Sequence, residues 1–280
     1  MGRPRGAPRL AVSSRLILVA LLALGSAGCK SGPTCPVEVR TDAGRALGDH
    51  KARQASWRSL KAEARVTQWG GRGRIRGTVL MFLEQPNRVR FDVMTQVGPA
   101  AVLTSDGERF QLSDLREGSF MHGPTCPENI ARLLGISVDA EDVIRLLTGD
   151  TTTLDAVEQS MECRDGLYVI TLVSASGETQ EVAFSVDAAD REKPPELQRL
   201  TLRRSTVRGP SGDKRWEATY DDYIDVEGHA FPTNVRFVDE VNGADTAVRV
   251  KSISLDPEVP EGAFQQSPAP GMSIEFSDCS

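Results

Sequence analysis

The sequence predicts a mainly β (α+β) fold: an unclosed antiparallel β-barrel of about 11 strands, with a short helical lid over an apolar cavity. Three observations lead there. Many segments alternate apolar and polar residues with period two, as half-buried strands do. Asp-Gly, Ser-Gly and Asn-Gly pairs separate such segments at hairpin spacing. Two short amphipathic helices lie between two blocks of strands instead of alternating with them, which argues against a parallel sheet.

Residues 1–28 read as a secretory leader, with Arg3, Arg5, Arg9 and Arg15 ahead of an apolar run, Leu16–Leu24, and the small residues Gly25-Ser26-Ala27-Gly28. Nine apolar residues make roughly 13 Å of helix, too short for a ~30 Å hydrocarbon core. Small residues directly before Cys29 resemble the lipobox of bacterial lipoproteins, although Ser26 stands where that pattern usually has Leu. The resemblance implies cleavage before Cys29, acylation of its thiol and, with Lys30 following it, the outer membrane. Residues 29–50 mix Gly, Pro and charge without period and read as a tether, ahead of one domain over 51–280.

Within that domain, "KARQASWRSLKA" (51–62) reads as an amphipathic helix. "RIRGTVLMFLEQ" is apolar on both faces from Val79 to Leu83, which predicts cover on both sides. "PNRVRFDVMT" places Val89, Phe91 and Val93 on one face and Arg88, Arg90 and Asp92 on the other. Hairpins follow at Asp106-Gly107, Ser176-Gly177 and Asn242-Gly243, and "LQRLTLRRSTV" and "KRWEATYDDYI" add two antiparallel strands. "GGRGR" (70–74) is too short for a phosphate loop and reads as a turn. Of the two central helices, one opens with Thr125 and Glu128 spaced as a capping box. The other opens at Asp139 and stops at Gly149. Ile130, Leu133 and Leu134 form one apolar stripe; Val143, Ile144 and Leu147 form the next.

Five cysteines are present, and assigning Cys29 to lipid leaves Cys35, Cys126, Cys163 and Cys279, an even set for an oxidising compartment. Three pairings are open; Cys126–Cys163 with Cys35–Cys279 is favoured because it would tie two loose termini together. Beyond the leader, 29 basic residues face 39 acidic ones, a formal balance of −10. Such a chain is repelled by nucleic acid and by anionic headgroups, so membrane attachment is expected from the anchor and apolar contacts, not from a basic patch.

Over about 57–150, "MFLEQPNRVRFDVMTQVGPAAVLTSDGERFQL" followed by "GPTCPENIARLLGISVDAEDVIRLLTGD" resembles the LolA/LolB-like lipoprotein carriers and receptors. "ATYDDYIDVEGHAFPTNVRFVD" (218–239) resembles a late hairpin of the same fold. The resemblance implies a hydrophobic cavity lined by Val79, Met81, Val89, Phe91, Val93, Leu133, Leu134 and Ile144. It also implies a membrane-contact loop, "TQVGPA", carrying Val97, and acyl chains of lipoproteins or lipids as partners, delivered by a periplasmic carrier. An anchored scaffold of the same fold with a filled core is the alternative.

Catalytic chemistry has little support. His50, His122 and His229 are isolated from one another, no G-x-S-x-G elbow occurs, and Asp221-Asp222 on a strand would point to opposite faces. No cysteine or histidine spacing fits a metal, and no cofactor motif is present. Trp57, Trp69 and Trp216 are too scattered for a sugar-stacking groove.

Overall fold

A computed structural model describes residues 1–2, 34–70 and 73–279 of the chain. All but two residues of the leader, the acylation candidate Cys29 and the first residues after it lie outside the described residues. So does the tip of the turn read in "GGRGR".

Helix α1 (Ala43–Gln54) precedes six strands: β1 (Ser59–Gly70), β2 (Gly73–Glu84), β3 (Arg88–Thr95), β4 (Gly98–Ser105), β5 (Arg109–Asp114) and β6 (Ser119–Pro124). Then come α2 (Pro127–Leu134) and α3 (Ala140–Thr148). The second block holds β7 (Ala156–Arg164), β8 (Leu167–Ser174), β9 (Thr179–Val186), β10 (Leu200–Arg208), β11 (Lys214–Val226), β12 (His229–Asp239) and β13 (Ala244–Leu255). The last strand is β14 (Ser273–Phe276). All join one sheet in the order β14-β6-β5-β4-β3-β2-β1-β13-β12-β11-β10-β9-β8-β7. Every pairing is antiparallel except β14 beside β6. The fold class is as expected: one open antiparallel sheet, unclosed between β14 and β7. There are fourteen strands among the described residues where about eleven were expected. β7 is mostly exposed along its length and β14 is four residues long, so neither carries the alternation that betrays a strand.

The three hairpins predicted from Gly-containing turns are all present, as β4–β5, β8–β9 and β12–β13. The first helix is displaced from its predicted place. α1 begins at Ala43 because the Asp42 carboxylate accepts from the Arg45 amide, a side-chain cap that satisfies an otherwise orphan donor. Residues 43–50, read as tether, therefore bury Ala43, Ala46 and His50, whereas Ser59–Ala62 belong to β1. α2 has no capping box: Cys126 is its N-cap with Pro127 following, and Thr125 bonds Ser105 Oγ instead, at 2.8 Å. α3 starts and stops as predicted, with Asp139 accepting from the Asp142 amide and Gly149 at φ 87°.

The core fills the concave face. β3 alternates as predicted, with Val89 and Phe91 buried inward, while Arg90 and Asp92 pair on the outer face at 3.0 Å. Cover over the outer face of β2 is partial: Leu80 and Phe82 stay half-exposed, with the Lys61 ammonium over the Phe82 ring at 5.3 Å. The outer cover lies farther along, on β3–β5, where the chain after β13 crosses back. There Phe264 is buried under the Arg88 guanidinium, 4.6 Å from its ring, and Gln266 Nε2 donates to Val102 O at 3.0 Å. In β11, Asp222 sits at φ 53° and has no partner in the β12 register. The register is the same on either side, so this left-handed residue interrupts the pleat without a bulge, and Tyr220 and Tyr223, three apart, both face inward.

Cys35 bonds Cys163, and Cys126 bonds Cys279. The pairing favoured from the sequence is thus corrected. The two terminal segments run along opposite edges of the sheet, so each is tied to its own edge: Cys35 to β7, and Cys279, just past β14, to the start of α2.

Candidate functional site: the concave face and its basal cleft

α3 lies across the concave face against β3 and β12, and α1 packs against β7 and β10. Among the residues expected to line a cavity, Val79, Met81, Val89, Phe91 and Ile144 fall in one buried cluster, with Val93 and Leu133 packed against it. The Leu134 side chain lies outside what the structure describes. Val89, Phe91, Leu103, Phe110, Ile130, Ile170, Leu202 and Tyr220 keep 0 % of their accessible surface. A side chain facing a void large enough for water would show surface to it, so these residues border no hollow. Around these side chains the concave layer is close-packed, and a small cavity of about 140 Å³ remains beside α3, lined by Val138, Leu146, Val207, Trp216 and Phe237.

A polar latch holds the helices down. His50 Nε2 donates to the Gly149 carbonyl at 3.1 Å and lies 3.6 Å from Asp150 Oδ1. Gln54 Nε2 reaches the same carbonyl at 3.4 Å, and Tyr220 Oη donates to Asp150 O at 3.0 Å. Burial pushes the His50 imidazole below its ordinary pKa, against the opposing pull of Asp150, and its Nδ1 has no hydrogen-bond partner among the described residues. Both facts fit a neutral ring protonated on Nε2. Trp57 packs edge-on against Phe231 beneath the end of α1, at 6.3 Å between centroids.

Beside this latch a cleft of about 970 Å³ opens at the lower ends of β8–β12. Leu167, Val186, Leu200, Tyr223 and Ile224 give it an apolar lining, and Arg53, Arg191 and Arg203 stand at its mouth. None of those three guanidiniums has a carboxylate within ion-pair distance among the described residues. Arg203 lies over the Tyr223 ring at 5.2 Å and donates to Ser185 Oγ at 2.8 Å, while Tyr223 Oη donates to Leu202 O at 2.6 Å. Arg53 donates to Leu200 O at 3.4 Å, and burial lowers its pKa. Arg199, also in the lining, is neutralised by the fully buried Asp190 at 2.8 Å. His229 Nε2 meets the exposed Ser56 Oγ at 2.8 Å at the edge of the cleft. Sequence reasoning missed this cleft, because its residues come from five separate strands and a helix end. The one available signal was Arg203-Arg204 interrupting an otherwise alternating strand.

The other singled-out residues are dispersed. Val97 stands 98 % exposed on the β3–β4 tip, at the opposite strand ends from the cleft. His122 packs edge-on to Phe276 at 5.5 Å, and Trp216 stacks on Phe237 at 5.8 Å. Asp221 and Asp222 are both exposed, and Asp222 takes a hydrogen bond from Asn234. Among the described residues no group of three His, Cys, Asp or Glu side chains could hold a metal ion.

The architecture is an open antiparallel half-barrel, as the sequence led one to expect. The chain is similar to a DUF1329 family protein from Desulfovibrio piger, at 12 % identity with a TM-score of 0.53, covering 83 % of this chain and 98 % of that one. It is also similar to a LolA superfamily protein from Nitrosomonas europaea, at 11 % identity, TM-score 0.49, and 80 % and 97 % coverage. A third similar structure is the lipoprotein LppX from Mycobacterium tuberculosis, at 8 % identity, TM-score 0.31, and 78 % and 99 % coverage. At such identities the likeness is one of fold. No protein-family model and no curated protein matches the chain.

Proposed function

We propose that this chain is a non-catalytic envelope lipoprotein that binds acyl chains, anchored through Cys29 at the periplasmic face of the outer membrane. Its ligand is the acyl part of a lipid or lipoprotein, received from a periplasmic carrier. The observation that carries the reading is the basal cleft, with an apolar lining that includes the core residues Val186 and Leu200, and with Arg53, Arg191 and Arg203 in no close ion pair among the described residues although Asp187, Asp221 and Asp225 also border it. An acyl chain would lie along Val186, Leu200 and Ile224, and its ester or phosphate oxygens would accept from Arg53 and Arg203. Deeper entry toward Val79, Met81, Val89, Phe91, Val93, Leu133, Leu134 and Ile144 requires α3 to lift, which the latch at Gly149 opposes. Val97, under the same proposal, is the side chain that meets an apolar surface at the far strand ends.

The close packing around Val89, Phe91 and Leu103 favours a second reading, an anchored scaffold that takes up no ligand. One experiment separates them. A fluorescent fatty-acid analogue added to the purified chain brightens if the cleft binds acyl chains, and Ile224→Trp, which narrows the cleft without touching the core, weakens that binding at least tenfold. No brightening in the intact protein establishes the scaffold reading instead.

A further inference from the structure

Outside the concave face, on the opposite side of the sheet, strands β2, β1, β13 and β12 form a groove of about 680 Å³. Its walls are arginines: Arg65 on β1, Arg74 and Arg76 on β2, Arg249 on β13 and Arg236 on β12. The register sets Arg65 directly across from Arg249, and Arg76 directly across from Thr67. Arg236 forms a two-pronged pair with Asp245, at 2.9 and 2.7 Å. The other four have no carboxylate within ion-pair distance among the described residues; Arg249 donates to Asn234 Oδ1 at 3.0 Å, and Arg74 lies over the Trp69 ring at 5.6 Å. On the floor is Thr67, 7 % exposed, whose hydroxyl makes no hydrogen bond within the described protein.

This arrangement is costly for the isolated protein. Like charges directly opposite each other on a sheet destabilise it. Beyond its leader the chain has 29 basic and 39 acidic residues, yet the two carboxylates that also line the groove, Asp221 and Asp222 on β11, form no ion pair with its arginines, and Asp222 is held by Asn234 instead. The acidic total therefore conceals a local concentration of positive charge, contrary to what the overall balance implied. Four guanidiniums offer planar pairs of N–H donors, the geometry that matches phosphate oxygens, and Thr67 adds a hydroxyl at the base.

We propose that this groove binds a phosphate-bearing ligand, with Arg65, Arg76 and Arg249 holding its oxygens and Thr67 reading its depth. The same chemistry is presented by a free phosphate compound and by a phospholipid headgroup, so the test uses both. The full chain carrying Cys29→Ser, which removes any acyl anchor, is titrated with inorganic pyrophosphate by calorimetry. It is then sedimented with vesicles of phosphatidylcholine containing 30 % phosphatidylglycerol, and with vesicles of phosphatidylcholine alone. Binding to at least one phosphate probe beyond the neutral vesicles is expected, weakening steeply as salt rises. Arg65→Gln with Arg249→Gln should lower that affinity on the order of 25-fold, about fivefold for each charge removed. The double variant should melt at or above the temperature of its parent, since a repulsion is relieved, and its fatty-acid uptake at the basal cleft should be unchanged. Pyrophosphate binding without preference for the anionic vesicles assigns the groove to a free ligand; the reverse assigns it to the headgroup. If neither probe binds, or if a well-folded double variant binds both like its parent, the proposal is wrong. Thr67→Val, which keeps shape and deletes only the hydroxyl, supplies a second variant with the same expected direction.

Discussion

His50 Nε2 lies 3.1 Å from the carbonyl oxygen of Gly149, joining the middle of the first helix to the end of the third across 99 residues of sequence. The ring is buried, burial holds its pKa below the ordinary value, its second nitrogen has no partner among the described residues, and Asp150 and Arg53 are its charged neighbours. Unfolding returns it to water, where it titrates near 6.5.

Stability should accordingly fall as pH drops from 7 to 5.5. In that window the unfolded chain takes up a proton that the folded chain refuses, so stability rises with pH, by at most about 1.4 kcal/mol per pH unit for one such group. His50→Gln should flatten this part of the profile. Denaturant midpoints measured at pH 7.5, 6.5 and 5.5 would show it, and a variant with the parental slope would mean that His50 does not govern it.

Gly149 should tolerate no side chain. Its φ of 87° is costly for any other residue, and a Cβ would come within 2.9 Å of Pro232 Cδ and 3.2 Å of Tyr223 Oη. Gly149→Ala is expected to lose more than about 1–2 kcal/mol in urea unfolding, the backbone penalty alone. The contact with Pro232 adds to that loss.

Phe91→Ala should cost about 3–5 kcal/mol, because the ring is wholly buried. Phe91→Asp should not fold, since it would leave an unpaired carboxylate in an apolar interior. Circular dichroism and thermal melts report both; a folded aspartate variant would contradict the inward orientation of β3.

A digest of the unreduced protein should yield linked peptides for Cys35 with Cys163 and for Cys126 with Cys279. Cys35→Ser paired with Cys163→Ser should cost about 2–5 kcal/mol, in the range for native disulfides. Finding Cys126 linked to Cys163 would overturn the edge assignments.

What the sequence disclosed depended on how local each signal was. Asp106-Gly107, Ser176-Gly177 and Asn242-Gly243 marked their hairpins because tight turns need residues that accept unusual φ, whatever lies elsewhere in the fold. Alternation across 88–93 placed Phe91 inside for the same reason. Thr125 was misread as a cap because its competitor, Ser105, is twenty residues away, visible only once β4 is in place. Alternation also assumes an unbroken pleat, which the left-handed Asp222 interrupts in β11. Period two tells which face is apolar, but not whether that face surrounds a hollow or a solid; Val89 and Phe91 read the same either way. The arginine groove was hidden by summation, since Arg65 and Arg249 meet only through a pairing 184 residues apart.

The four-residue strand β14 carries a last implication. All four of its side chains are exposed, so it gains little from burial, and its hold on β6 depends on nearby anchorage. The Cys126–Cys279 bond supplies that anchorage just beyond its end. Before oxidation, the hydrogen-bonding rim of β6 stands ready to template a strand from any neighbouring polypeptide, the hazard that bare sheet margins bring. Newly made chains are thus most prone to clump while their thiols are still reduced, and the last step that makes the sheet safe is one that a reducing cytoplasm withholds.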